Sequence, residues 1–178
     1  MAIIMGQLKY NTSDINKILD GRYHSPIQDV VGSDWTVGSP LALLADTPVV
    51  FQCNGAIRNK KIFPDHITNI WNTSTNIATF SEFLNTPEIV ANVNMTLDPS
   101  ASSEGILTTS VWVNEDVPIL IKSTNVHFKG DIEKVTALLT FYAGEETGFD
   151  VKNKGVFFTV ESSLGTLAYD MSVEIYRT

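Results

Sequence analysis

Between Ile89 and Leu97 the chain reads Ile-Val-Ala-Asn-Val-Asn-Met-Thr-Leu, which puts Ile89, Ala91, Val93, Met95 and Leu97 on one side and Asn92, Asn94 and Thr96 on the other. A two-residue period with one apolar and one wet side belongs to a strand lying on a core, and it is out of step with a helix. The beat returns through the second half. Leu107, Thr109, Val111 and Val113 share a side, leaving Trp112 opposite with Thr108, Ser110 and Asn114. Val156, Phe158 and Val160 alternate with Phe157, Thr159 and Glu161. In the last segment Tyr169, Met171, Val173 and Ile175 oppose Asp170, Ser172, Glu174 and Tyr176, so this strand is expected inside a sheet. Residues 132–142 fit both periods, and their Val, Thr and aromatic content favours strand.

Shorter β-prone runs complete the pattern: Val49-Val50-Phe51, Ile67 to Trp71, Ile119 to Ile121 and Val126 to Phe128. Turn residues separate them, as in Asn54-Gly55, Asn72-Thr73-Ser74 and the loop from Asp98 to Gly105. Many short strands without alternating helices predict a mainly β protein, an antiparallel β-sandwich of jelly-roll type. Near the start, Asn11-Thr12-Ser13-Asp14 precedes Ile15, Ile18 and Leu19, and Gly21 follows, which predicts a short helix. Glycines and prolines punctuate Arg22 to Thr47, where Trp35 stands among polar neighbours, and this stretch reads as an extended arm. The expected division is residues 1–47 for helix and arm, serving attachment or oligomerisation, and 48–178 for the sandwich.

A chain of 178 residues is long enough to build one core without staples. Its single cysteine, Cys53, rules out an internal disulfide, and no Cys/His spacing suits zinc. A formal charge of −8 opposes nucleic-acid or anionic-membrane partners, which need clustered Lys and Arg. The opening Ala2-Ile3-Ile4-Met5 stops at Gly6, too short for a signal peptide, and no later run approaches a membrane span. The N-x-Ser/Thr triplets at Asn11, Asn72 and Asn94 arise readily by chance in a chain rich in Asn and Thr, and no glycosylation is read from them.

Reactive chemistry is hard to assemble from these residues. His24, His66 and His127 sit in unrelated contexts, there is no Gly-x-Ser-x-Gly elbow, and His127 reads as a solvated strand histidine. Cys53 with His66 as a thiol pair has little behind it. Glu145, Glu146 and Asp150 invite a calcium reading, but their spacing misses the known loop pattern and a solvated acidic loop is the better expectation. Arg58, Lys60 and Lys61 form the single basic cluster. The expectation is therefore no enzyme, no catalytic residues, no cofactor and no metal. Trp35 and Trp112 are the notable singletons: a Trp on a polar strand face is either an edge residue under a loop or an interface anchor, and it can also stack on a sugar ring.

The opening Leu8-Lys9-Tyr10-Asn11-Thr12-Ser13-Asp14-Ile15-Asn16-Lys17-Ile18-Leu19-Asp20 resembles the helix that opens many small bacteriophage virion proteins. The β-rich remainder, with Asn, Thr and Ser on wet faces and few charges, is similar to trimeric jelly-roll or tumour-necrosis-factor-like modules of phage heads, fibres and spikes. The resemblance implies a non-enzymatic structural protein, a capsid decoration, head fibre or tail component. It would form a homotrimer and sit in a virion assembled in the host cytoplasm, in contact with other virion proteins. Interaction would run through Ile15, Ile18, Leu19, Trp35 and Trp112. The alternative is a carbohydrate- or receptor-binding sandwich facing a host-surface glycan.

Overall fold

The computed structural model describes residues 27–52, 70–83, 88–99, 103–144 and 150–177. They form two antiparallel sheets packed face to face. The long strands are β6 (Glu88–Pro99), β7 (Gly105–Val113), β8 (Ile119–Phe128), β9 (Glu133–Tyr142), β10 (Val156–Ser162) and β11 (Thr166–Arg177). The short ones are β1 (Ile27–Gly32), β2 (Leu41–Leu43), β3 (Val49–Val50), β4 (Trp71–Asn72) and β5 (Ile77–Ala78). The first sheet runs β1-β11-β6-β9, with β2 beside β1 along the same edge of β11. The second runs β4-β5-β10-β7-β8, with β3 also on β10. Ladder neighbours far apart in sequence, such as β11 with β6 and β10 with β7, show chain excursions crossing between the sheets.

The alternation seen in the sequence explains the layers. Ile89, Ala91, Val93, Met95 and Leu97 are all buried, as are Leu107, Val111 and Val113, and Val156, Phe158 and Val160. They meet from the two inner faces, as aligned sandwiches require. The ambiguous segment is strand β9: Val135, Ala137, Leu139 and Phe141 point inward while Leu138 and Tyr142 are exposed. An aromatic chain closes one region of the core. Trp35 meets Phe51 edge to face at 6.3 Å, Phe51 meets Trp71 at 6.2 Å, and Trp71 stacks on Phe158 at 5.7 Å. Rings at these separations add about 0.5–1.5 kcal/mol per pair beyond their burial.

Three features depart from a plain alternating sheet. The first is a bulge in β11, where the register to β6 shifts between Tyr169 and Ser172. Asp170 is the extra residue, in the left-handed region at φ 51°, which Asp tolerates better than most side chains. The bulge moves Tyr169 opposite Thr96, so it does not share the inward side of Met171, Val173 and Ile175 as simple alternation suggested. The second is in β8, where the register to β7 shifts between Val111 and Trp112. Ile121 is the extra residue, and Lys122 comes opposite buried Val111, on the core side of an edge strand, yet stays exposed. The third is Gly105, whose cross-strand partner is Phe128; a Cβ there would lie 2.4 Å from the Phe128 ring.

The stretch read from sequence as an arm supplies β1 and β2 to the first sheet. Too short to stand alone, they are held by pairing to β11. The helix expected at Ile15, Ile18 and Leu19 lies outside the described residues. A short helix not foreseen, α1 (Val151–Lys154), follows Asp150, whose carboxylate accepts from the Asn153 backbone N–H at 3.1 Å and from its side-chain amide at 3.0 Å. Capping accounts for the acidic residue there, and the residues 145–149 of the calcium reading lie outside the described set.

Candidate functional site: a polar groove on the outer face of the first sheet

Residues directly opposite in a ladder share a face, so the outer surface of the first sheet can be read row by row. Tyr176, Val90 and Thr140 form one row, then Glu174, Asn92 and Leu138, then Ser172, Asn94 and Thr136, and finally Tyr169, Thr96 and Lys134. The face is thus divided. Val90, Leu138 and Tyr142 lie towards one end, and the other end is almost wholly polar.

At the polar end lies a groove of about 490 Å3, bordered by Asn94, Thr96, Lys134, Thr136, Asp170, Ser172 and Glu174, with Met95 and Val135 contributing between them. The bulge builds it. Its extra residue turns the Asp170 side chain out to solvent while Met171 stays in the core. The loop after β1 holds that geometry: Ser33 donates its N–H to the Met171 carbonyl at 2.9 Å, and Asp170 donates its N–H to the Trp35 carbonyl at 3.0 Å. Trp35 therefore serves the site through its backbone and the core through its half-buried ring.

The groove's own polar groups are only partly used. Thr136 donates its hydroxyl to Asn94 Oδ1 at 2.7 Å, and the Tyr176 hydroxyl donates to Glu174 Oε2. Ser172 and Thr96 are more than nine-tenths buried. Among the described residues their hydroxyls make no hydrogen bond, and neither Lys134 nor Asp170 makes an ion pair. One row along, Asn92 Oδ1 is buried with no partner. A buried polar atom left so costs about 1–3 kcal/mol.

The outer face of the second sheet is arranged differently. Trp112 stacks on its cross-strand neighbour Phe157, with centroids 6.5 Å apart and planes 9° from parallel, and its indole N–H donates to Thr159 Oγ1 at 2.9 Å. Ser110 and Ser123 bond to each other at 2.8 Å, and Thr108 donates to Asn125 at 3.0 Å. The polar neighbours of Trp112 are thus bonded to one another.

Of the residues singled out from sequence, Ile15, Ile18 and Leu19 lie outside the described residues, as do Cys53, His24 and His66. The Trp35 ring packs towards the core against Phe51, while Trp112 lies on the outer face of the second sheet, so the two do not converge. His127 is exposed on β8. No group of three His, Cys, Asp or Glu side chains able to hold a metal occurs among the described residues. The groove itself was missed, because Asn94, Lys134 and Asp170 come from three strands distant in sequence. What signal existed lies in three short wet-face patterns: Asn-x-Thr at 94–96, Lys-x-Thr at 134–136 and Asp-x-Ser-x-Glu at 170–174.

No protein-family model matches the chain. No curated protein matches it in sequence. Among solved structures, PRD1 vertex protein P5 is similar with a TM-score of 0.43 and 10% sequence identity, the alignment covering 86% of this chain and 71% of that one.

Proposed function

We propose that this chain is a non-enzymatic structural protein of a bacteriophage particle, a jelly-roll sandwich that assembles with copies of itself as a homotrimer, as a capsid decoration, head fibre or tail component. The strand order supports the jelly-roll part of this reading. β1, β11, β6 and β9 in one sheet, against β3, β10, β7 and β8 in the other, follow the double Greek-key arrangement found in capsid and lectin domains. Fold alone does not carry function, so the assembly part rests on one surface observation.

That observation is the side of the sandwich where β8 and β9 form the two sheet edges. On or between these strands Leu120, Ile132, Leu138 and Tyr142 are 48–61% exposed, Leu120 on the outer face of the second sheet and Leu138 and Tyr142 on that of the first. Large apolar and aromatic side chains left exposed on edge strands gain most from being covered by a neighbour. A second copy of the chain is the occupant we assign, and attachment to the particle goes to the segment carrying Ile15, Ile18 and Leu19.

Light scattering across a concentration series tests the reading. The expected mass is about three times the 19.6 kDa of one chain. The Leu138→Ser, Tyr142→Ser double variant is expected to shift that mass towards the monomer with its far-ultraviolet circular dichroism unchanged. A strictly monomeric wild type at high concentration overturns the proposal.

A further inference from the structure

We propose that the groove beside the Asp170 bulge is a saccharide-binding site. The inference stands on observations separate from the exposed apolar side used for assembly: the groove opens on the polar end of the first sheet's outer face, and none of Leu120, Ile132, Leu138 or Tyr142 borders it.

Charge sets the first constraint on a ligand. Two carboxylates, Asp170 and Glu174, and one ammonium, Lys134, border a single groove of about 490 Å3. Lys134 and Asp170 nevertheless form no ion pair with any described residue. Opposite charges held on one concave surface without contact leave room for a ligand between them. A phosphate or other anion would meet both carboxylates. A metal cation would meet the ammonium, and no three metal-ligating side chains gather there among the described residues. A neutral ligand that both donates and accepts suits the set.

Hydrogen-bonding capacity narrows it further. Lys134 is a pure donor and ionised Asp170 and Glu174 are pure acceptors, while Ser172 and Thr96 can act in either sense. Asn94 accepts from Thr136 through Oδ1, which leaves its amide N–H groups to donate, and the Thr136 oxygen to accept. Vicinal hydroxyls of a sugar, each a donor and an acceptor at close spacing, match this alternation. The volume lies in the range of sites for small ligands. Ser172 and Thr96 give the site a built interior, since both are more than nine-tenths buried and carry hydroxyls with no hydrogen bond among the described residues. Rigidity comes from position: every bordering residue lies on a long strand, and the bulge that aims Asp170 is fixed by two backbone hydrogen bonds to the loop after β1.

The test uses the full chain labelled with 15N, titrated separately with glucose, galactose, mannose and N-acetylglucosamine and with disaccharides of each. At least one sugar is expected to move the amide signals of Asn94, Thr96, Lys134, Thr136, Asp170, Ser172 and Glu174 in a saturable way. Asp170→Asn, which keeps a side chain tolerant of the left-handed region, and Glu174→Gln are each expected to weaken that binding about tenfold. Lys134→Ala, at an exposed position, provides a third variant, and all three should keep the wild-type mass by light scattering. Trp112→Ala should leave the groove signals responsive. The proposal is overturned if no sugar moves the groove amides, or if the shifts gather at Trp112 and Phe157. It fails equally if the three groove variants bind as the wild type does. Loss of sugar binding at unchanged mass separates this site from the assembly reading.

Discussion

The two outer faces of the sandwich are built from similar residues and satisfy their polar groups to different extents. On the second sheet, Ser110 pairs with Ser123, Thr108 with Asn125, and the Trp112 indole with Thr159 while its ring lies along Phe157. On the first, Ser172, Thr96, Lys134 and Asp170 share a groove and make no such bonds among the described residues. Cross-strand pairing explains the first case, because directly opposed short polar side chains satisfy each other. In the second case the bulge turns Asp170 out beside Ser172, while Thr96 and Lys134, directly opposed on β6 and β9, make no bond to each other. Polar residue type alone therefore does not tell which opposed side chains satisfy each other.

Three sets of substitutions break or sharpen this contrast. The largest effect is expected from Trp112→Ala, which removes the Phe157 stack, the bond to Thr159 and the ring's cover: a loss of about 2–3 kcal/mol in urea unfolding. A change near zero would mean that the second face is not held together by its own contacts. A smaller effect is expected at the bulge. Asp170→Val should cost about 1–2 kcal/mol, since a β-branched residue fits the left-handed region badly, whereas Asp170→Gly should cost almost nothing. Equal losses for both would place the value of Asp170 in its carboxylate and not in its backbone. The smallest is the coupling between Ser110 and Ser123. A double-mutant cycle through Ser110→Ala and Ser123→Ala should give about 0.5–1 kcal/mol, against none for the same cycle at Ser172 and Thr96.

Much of the layered fold was legible in the chain, and the reason is local. The buried apolar residues of β6, β7 and β10 fall on alternate positions, so side-chain period identifies which face enters the core even though Thr96, Ser110 and Thr159 are buried between them. β9 was harder because a helix would also have grouped Ile132, Val135, Leu138, Leu139 and Tyr142; its exposed Leu138 and Tyr142 are what confused the two periods. β1 and β2 were not legible as strands, since Gly32, Gly38 and Pro40 break up their surroundings and their order comes from β11, well over a hundred residues away. The bulge left no mark either. Asp170 falls in line with the alternation as written, and only pairing to β6 shows that Tyr169 and Met171 face opposite ways. Since the groove depends on that one extra residue, reading the sequence for paired acids or metal spacing had nothing to find there. Trp112 was placed correctly on a polar strand face, but the Thr159 partner that occupies its N–H comes from β10, a strand whose neighbour in the sheet the sequence does not announce.

Lys122 carries a consequence for how copies of the chain can meet. An edge strand as long as β8 is an open invitation to add another strand, then another, without end. A charged ammonium set on the inward side, next to a kink at Ile121, makes each such addition bury an ion or bend out of line. Growth by ladder extension along this edge is thereby discouraged.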